Sequence, residues 1–329
     1  MIVGSLVALV GLASPAAADP AGPSDSRSEV TGLVPDVDGV RAVIRGGDSF
    51  LEISVDEGHN VTVAGYNDEP YLQVLEDGKV QRNRLSSATY LNDDRKGAVD
   101  IPAEVKDALE SGADPEWETI GDGGTYAWHD HRVHWMAEVS PPVERGERVA
   151  GAYDPWVVPI TVDGAPVEIR GTLTYARATS PLPWVLLAVI VAGTLVWFGR
   201  RLGLRLAATV MVLVSAVALV VGRADWAATP DGAGNPLLWA LPVIALVAAL
   251  GAAAFSGRSA GVILALASVA ALSGWAIFRV EVLVKPVLPT ELPFALDRAT
   301  VAVAVGASLA AAYLAITSGA LSLPDLDDD

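Results

Sequence analysis

The chain has 329 residues, 52% of them hydrophobic, and its 39 acidic and 22 basic residues give a formal net charge of -17. This acidic balance excludes the basic surface on which nucleic-acid binding depends. The sequence contains no cysteine, which excludes disulfides, thiol chemistry and cysteine-type zinc sites.

The hydrophobic residues are unevenly distributed and divide the chain into two parts. Up to about residue 180 the sequence is polar and carries nearly all of the negative charge. Beyond it come several apolar runs of about 17 to 25 residues, which is the length that crosses a bilayer. The sequence therefore predicts a membrane protein with a large water-exposed head.

The first 29 residues read as a targeting segment and a lead-in. Residues 1–18 hold a short apolar core and end in Ala16, Ala17 and Ala18, a pattern typical of a cleaved signal peptide. The usual basic start is missing, so an N-terminal anchor is the alternative, although the apolar core is short for a span. Residues 19–29 are rich in proline, glycine and serine and predict a flexible lead-in.

Residues 30–178 alternate between short strand-like segments and turns. The predicted strands are 40–44, 50–55, 60–64, 71–75, 79–83, 88–91, 117–120, 125–136, 156–162 and 167–175, and residues 103–109 predict a helical turn. Glycine-containing turns, including 76–78 and 163–164, are typical of hairpins. This pattern indicates an all-β, immunoglobulin-like sandwich.

The segment 125–136 concentrates the coordinating chemistry of the chain. It reads Thr-Tyr-Ala-Trp-His-Asp-His-Arg-Val-His-Trp-Met and holds three of the four histidines, His129, His131 and His134, together with Met136. Neutral imidazole is the commonest metal ligand and suits copper, and a thioether favours Cu(I). Asp130 is a further candidate ligand, or a partner that orients an imidazole ring.

These side chains converge only if the strand is interrupted. On a regular strand, His129 and His131 share one face while His134 and Met136 share the other. A metal site therefore requires a turn or bulge between residues 130 and 133. The alternative is a structural strand whose tryptophans fill the core. The fourth histidine, His59, lies in a predicted loop and joins the site only if that loop packs beside it.

The second part of the chain predicts about five membrane spans, at residues 182–198, 206–221, 237–255, 261–278 and 301–321. Arg200, Arg201 and Arg205 follow the first span and place that loop in the cytoplasm. The head is then extracytoplasmic, and the acidic tail 322–329 is cytoplasmic. The spans carry no carboxylate, lysine or histidine near a midplane, which argues against an ion pump. The proline-rich loop 279–298 either contacts the head, caps the bundle or lies in the membrane interface.

The histidine segment, together with residues 47–52 and 87–92, resembles a family of actinobacterial membrane proteins in which an exported β-rich head precedes several spans. The resemblance covers most of the chain. It implies an association with copper-trafficking proteins of the cell envelope, and it supplies no catalytic residues.

The sequence thus favours a membrane-anchored extracytoplasmic protein that binds a metal, with copper the leading candidate, and that buffers, relays or senses it. The expected partners are the lipid bilayer and other envelope or copper-handling proteins. The alternative is an envelope interaction module with a structural His/Trp-rich strand. An enzyme with a histidine base is disfavoured, because no serine nucleophile motif or paired carboxylate accompanies the histidines.

Overall fold

The computed structural model describes residues 20–230, 233–255 and 259–318, and in these ranges a β-rich head precedes a helical bundle. The predicted signal peptide and acidic tail lie outside the described residues. The head contains ten strands: β1 Ser26–Val34, β2 Val40–Arg45, β3 Phe50–Val55, β4 Val61–Ala64, β5 Pro70–Val74, β6 Val80–Asn83, β7 Trp117–Gly121, β8 Thr125–Trp128, β9 Trp156–Val162 and β10 Ala165–Tyr175.

The strands form two antiparallel sheets around one hydrophobic core. One sheet has the order β1-β10-β9-β4-β5-β6-β7 and the other the order β2-β3-β8. Alternation places the apolar residues of each strand inside, as with Val158, Ile160 and Val162 in β9, while the residues between them are exposed. The predicted fold class, an all-β sandwich head before a helical membrane bundle, is confirmed.

Three predictions about the head are wrong in detail, and one of them is the strand 125–136, which ends at Trp128. Strand β1 begins at Ser26 and pairs with β10, so residues 26–29 of the predicted flexible lead-in are part of the sheet. The predicted strand 88–91 is a short helix, α1 (Ala88–Leu91). Its backbone closes local bonds, such as Asn92 N–H to Ala88 O at 3.1 Å, instead of pairing with a strand. The predicted helical turn at 103–109 is confirmed as α2 (Ala103–Ser111).

Five helices in the described part of the chain are long and apolar enough to cross a membrane, as predicted. They are α3 Leu182–Leu202, α4 Leu204–Ala227, α5 Leu237–Ala254, α6 Ser259–Phe278 and α7 Phe294–Thr317. At 1.5 Å per residue, the shortest spans about 27 Å. These five helices make the chain a multi-pass membrane protein.

Close helix packing depends on glycines that approach a neighbouring backbone. A Cβ at Gly306 of α7 would collide with the carbonyl oxygen of Ala188 in α3, and one at Gly222 of α4 would collide with that of Leu238 in α5. By contrast, Gly193 of α3 faces open space. Small residues at such contacts let two helices approach each other, as is common in membrane bundles.

The proline-rich loop between α6 and α7 contacts the head. Ser24 and Val287 exchange two backbone hydrogen bonds of 2.9 and 3.2 Å, which add a short bridge between the start of the head and this loop. Lys285 donates to Asp25 at 2.7 Å, and Thr179 donates to the Val284 carbonyl at 3.1 Å. The loop therefore joins the two parts of the molecule, one of the roles predicted from its sequence.

Candidate functional site: a buried histidine cluster

The histidine segment leaves the sheet at a tight turn. Strand β8 pairs with β3 and ends at Trp128, which is opposite Leu51. The Asp130 carbonyl then accepts the Val133 N–H at 3.0 Å, and the Asp130 side chain accepts the Arg132 N–H at 3.0 Å. Aspartate commonly closes turns in this way, by bonding its own backbone two residues on. The strand is therefore interrupted between residues 130 and 133, as convergence of the histidine side chains requires.

Asp130 stabilises this turn with a fully buried carboxylate. Arg132 donates to its two oxygens at 2.8 and 2.7 Å, and Trp128 Nε1 donates at 2.9 Å. Burial favours a raised pKa, but the Arg132 charge and these donors hold the pKa of Asp130 below its usual range. The carboxylate is thus ionised and occupied by protein donors, which gives it a structural role in the turn.

The neighbouring imidazoles are held by backbone carbonyls. His129 is completely buried, stacks on Phe50 with ring centroids 4.2 Å apart, and directs Nδ1 to the Ser49 carbonyl at 2.5 Å. His131 stacks on Tyr66 and directs Nε2 to the Asp94 carbonyl at 3.0 Å. Because a carbonyl only accepts, each of these ring nitrogens carries the proton. Hydrogen bonds of this kind fix the tautomer and orientation of metal-binding histidines.

His134 lies between the other two rings. Its centroid is 5.5 Å from that of His131 and 6.4 Å from that of His129, and both pairs are close to perpendicular. The side chain is completely buried, and Nε2 has no hydrogen-bond partner among the described residues. Burial, together with the positive charge of Arg95, lowers the pKa of His134 to about 3. The ring is therefore neutral at physiological pH.

The structure also places the other two predicted candidates, Met136 and His59. Met136 is half-buried, and its backbone bonds with Tyr153. His59 pairs with Asp163 at 2.8 Å in the turn between β9 and β10. It does not join the cluster.

A second ion pair adjoins the cluster and was not predicted. Arg95 contacts the buried carboxylate of Asp48 at 2.8 Å and the hydroxyl of Ser49 at 3.2 Å. Burial raises the pKa of Asp48, against the opposing effect of Arg95. Arg95 brings a positive charge towards His134. In the sequence, Arg95 lies in the charged run that follows α1. Nothing in that run distinguishes Arg95 from a surface arginine.

Over the described residues, no group of three or more histidine, aspartate or glutamate side chains is arranged to hold a metal ion. The cluster is thus three closely spaced imidazoles rather than a preformed three-ligand site. Comparisons of the chain with family models, curated proteins and solved structures found no match.

Proposed function

We propose that the head binds a transition-metal ion at His129, His131 and His134, with copper the leading candidate, and that the protein buffers, relays or senses this metal at the membrane. One observation carries the proposal. His134 Nε2 is buried without a hydrogen-bond partner, and such groups are rare because each costs about 1 to 3 kcal/mol. A metal–nitrogen bond would satisfy this lone pair.

The two neighbouring rings support the same chemistry. His129 and His131 each donate one ring N–H to a backbone carbonyl, so each imidazole is held in one orientation. The His134 ring needs no deprotonation before it binds a metal ion, because burial lowers its pKa to about 3. Neutral imidazoles in a buried, thiol-free setting suit copper.

Monovalent copper fits the surroundings better than a divalent ion. The Arg95 guanidinium lowers the pKa of His134, and the same repulsion opposes any cation, a divalent one more strongly. Cu(I) also accepts two nitrogen ligands, which requires convergence of only two of the three rings. His134 with His131, the closer pair, is the expected minimal ligand set.

The proposed placement is a head outside the cytoplasm and a C-terminus inside it. Arg200, Arg201 and Arg205, at the α3–α4 junction, support this orientation, since arginine is enriched on the cytoplasmic side of membrane proteins. A cleaved signal peptide over residues 1–18 agrees with it. The head would then meet copper and copper-handling proteins in the envelope.

The second candidate is an envelope interaction module in which the histidine segment is structural. It is favoured by the absence of a three-ligand arrangement within the described ranges and by the occupied carboxylate of Asp130. In that case the buried rings only fill the space beside Phe50 and Tyr66. The two candidates differ in whether the purified protein takes up a metal.

Titration calorimetry of the purified protein with Cu(I), Cu(II) and Zn(II) tests the proposal. We expect one equivalent of Cu(I) to bind, and the affinity to fall at least tenfold in His134→Asn and His131→Asn variants that retain their near-ultraviolet circular dichroism. His59→Asn is the matched control, because it removes the histidine outside the cluster. Absence of binding by the folded wild-type protein would favour the interaction module.

A further inference from the structure

An apolar groove of about 750 Å³ runs between α3 and α7 on the outside of the bundle. Along α3 it extends from Trp184 to Arg200, about 24 Å of helix at 1.5 Å per residue, which is most of a hydrocarbon core of about 30 Å. Of the five apolar helices, α3 is the least buried, so the groove is open to the surrounding lipid. Its walls include Val185, Val189 and Val196 of α3 and Ala302, Val305 and Leu309 of α7.

Small residues of the two helices shape this groove. At Gly306 of α7 the helices are in close contact, since a Cβ there would collide with the carbonyl oxygen of Ala188. At Gly193, five residues further along α3, a Cβ would meet no atom within 4 Å. The space beside Gly193 is therefore wide enough for added carbon atoms. Because the bilayer core supplies hydrocarbon and no water, an acyl chain is the molecule that fills it.

Arg200 joins this groove to a second cavity at the end of the bundle away from the head. The second cavity has a volume of about 590 Å³ and is lined by Arg200, Gly203, Arg205 and Thr317, among others. The Arg200 guanidinium donates to the hydroxyl of Tyr313 in α7, and its carbon lies 5.3 Å from the centroid of that ring. Tyr313 thus holds the charge of Arg200 where the two cavities meet. A guanidinium has five N–H donors, so others remain for a ligand.

The charge at this end of the bundle has one sign over the described residues. From residue 182 onwards, every acidic residue that the structure describes lies near the head, and these are Asp225, Glu281, Glu291 and Asp297. Arg200, Arg201 and Arg205 lie at the opposite end. A ligand that is apolar along the groove and negative at Arg200 therefore matches both cavities.

We propose that the two cavities together bind one anionic phospholipid, with an acyl chain between α3 and α7 and the phosphate at Arg200 and Arg205. Arginine bonds phosphate oxygens in pairs, and basic pockets between membrane helices bind anionic headgroups. A lipid with a cationic headgroup group is less suitable, because it brings a positive charge to the two arginines. The proposal is independent of the histidine cluster, since the two sites share no residue.

Native mass spectrometry of the purified full-length protein in detergent tests this site. The protein is titrated with phosphatidylglycerol and, separately, with phosphatidylcholine of the same acyl chains, and the bound lipids are counted. We expect one phosphatidylglycerol to bind with a dissociation constant at least tenfold below that of phosphatidylcholine. Equal affinities for the two lipids would overturn the proposal.

Two pairs of neighbouring residues locate the lipid. Arg200→Gln is expected to abolish the preference for phosphatidylglycerol, whereas Arg201→Gln should largely keep it, because Arg201 lies over Trp197 and lines neither cavity. Gly193→Leu fills the groove and is expected to weaken phosphatidylglycerol binding at least tenfold. Its control is Thr194→Leu, at an exposed position outside the groove. Equal losses in the two arginine variants, or unchanged binding in Gly193→Leu, would overturn the assignment.

The same spectra distinguish the lipid from two other occupants. If a second copy of the chain covers the groove, the wild type is a dimer that Gly193→Leu dissociates. If the acidic tail 322–329 occupies the arginine cavity, the wild type has no preference for phosphatidylglycerol, and a preference arises only when these residues are removed. Either result would overturn the proposal.

Discussion

The imidazole of His134 stands nearly perpendicular to that of His131, with centroids 5.5 Å apart and an interplanar angle of 81°. This arrangement depends on the turn at Asp130, since a continuous strand would place the two side chains on opposite faces of the sheet. It also depends on Tyr66, which stacks on His131 and whose hydroxyl accepts the His131 backbone N–H at 2.9 Å. The cluster is therefore a product of the turn, and changes to the turn should affect it.

Acidification is expected to destabilise the head through His134. The pKa of this ring is about 3 in the folded state, because of its burial, against an ordinary value of 6.5. Between these values the unfolded chain takes up a proton that the folded chain does not, so the free energy of unfolding falls as the pH falls from 6.5 towards 3. The loss between pH 6.5 and pH 5 is about 1.6 kcal/mol.

Denaturant unfolding of the purified protein at several pH values measures this loss. His134→Gln, which cannot titrate, should have the shallower pH dependence, and the difference isolates His134 from the many surface carboxylates. Equal slopes in wild type and His134→Gln would contradict the depressed pKa.

Asp130→Asn is expected to destabilise the head by about 3 to 5 kcal/mol, because it removes one charge of a buried ion pair and leaves the other uncompensated. Asp56→Asn is the matched control. Asp56 pairs with Arg41 at 2.8 Å, close to the 2.7 Å between Asp130 and Arg132, but both side chains of the control pair are more than half exposed. Its loss should be below about 1 kcal/mol. Thermal unfolding measures both, and equal effects would show that the Asp130 turn is not a stabilising element.

Gly306→Ala and Gly193→Ala are expected to have opposite effects on the bundle. The new methyl group at residue 306 meets the Ala188 carbonyl and forces α3 and α7 apart, whereas the one at residue 193 meets no atom within 4 Å. Gly193→Ala should therefore gain up to about 1 kcal/mol from helix propensity. The free energies of unfolding of the two variants, measured in the same detergent, compare their effects directly. A stabilising Gly306→Ala would contradict the close approach of the two helices.

Arg298→Lys is expected to loosen the loop between α6 and α7. A lysine ammonium does not reproduce the planar fork that bonds the carbonyls of Val282, Lys285 and Pro286. Hydrogen exchange across residues 280–293 should accelerate, since fewer bonds restrain the loop. The control is Arg223→Lys, whose exposed side chain lies over Trp226. Unchanged exchange in the loop of Arg298→Lys would show that these bonds do not restrain it.

Sequence periodicity predicted most elements of the fold, because strand alternation and apolar spans are local signals. The strand 50–55 was predicted with the bounds it has, and all five spans were located. The helix 88–91 was missed because four residues carry too little periodicity to distinguish a strand from one helical turn. Helix α7 begins at Phe294, well before the predicted 301, because Asp297 and Arg298 are buried in ion pairs and backbone hydrogen bonds.

The candidate site was only partly predictable. Residue types identified the three histidines, and strand geometry gave the requirement for a turn at 130–133. Neither signal revealed that Asp130 would be occupied by Arg132, or that Arg95 would bring a charge towards His134. The first depends on how the turn orients two neighbouring side chains, and the second joins residues about 40 positions apart in the chain. The ion pairs of Arg279 with Asp225 and Asp297 were also missed, because the three residues lie near the ends of three different helices and far apart in sequence.

X-ray absorption spectroscopy of the purified protein loaded with one equivalent of Cu(I) tests the central claim most directly. The account predicts two or three imidazole nitrogens at about 2 Å from copper. It also predicts that this imidazole signature is lost in His134→Asn and retained in His59→Asn. A copper environment without imidazole, or one unchanged by His134→Asn, would contradict a metal site in the histidine cluster.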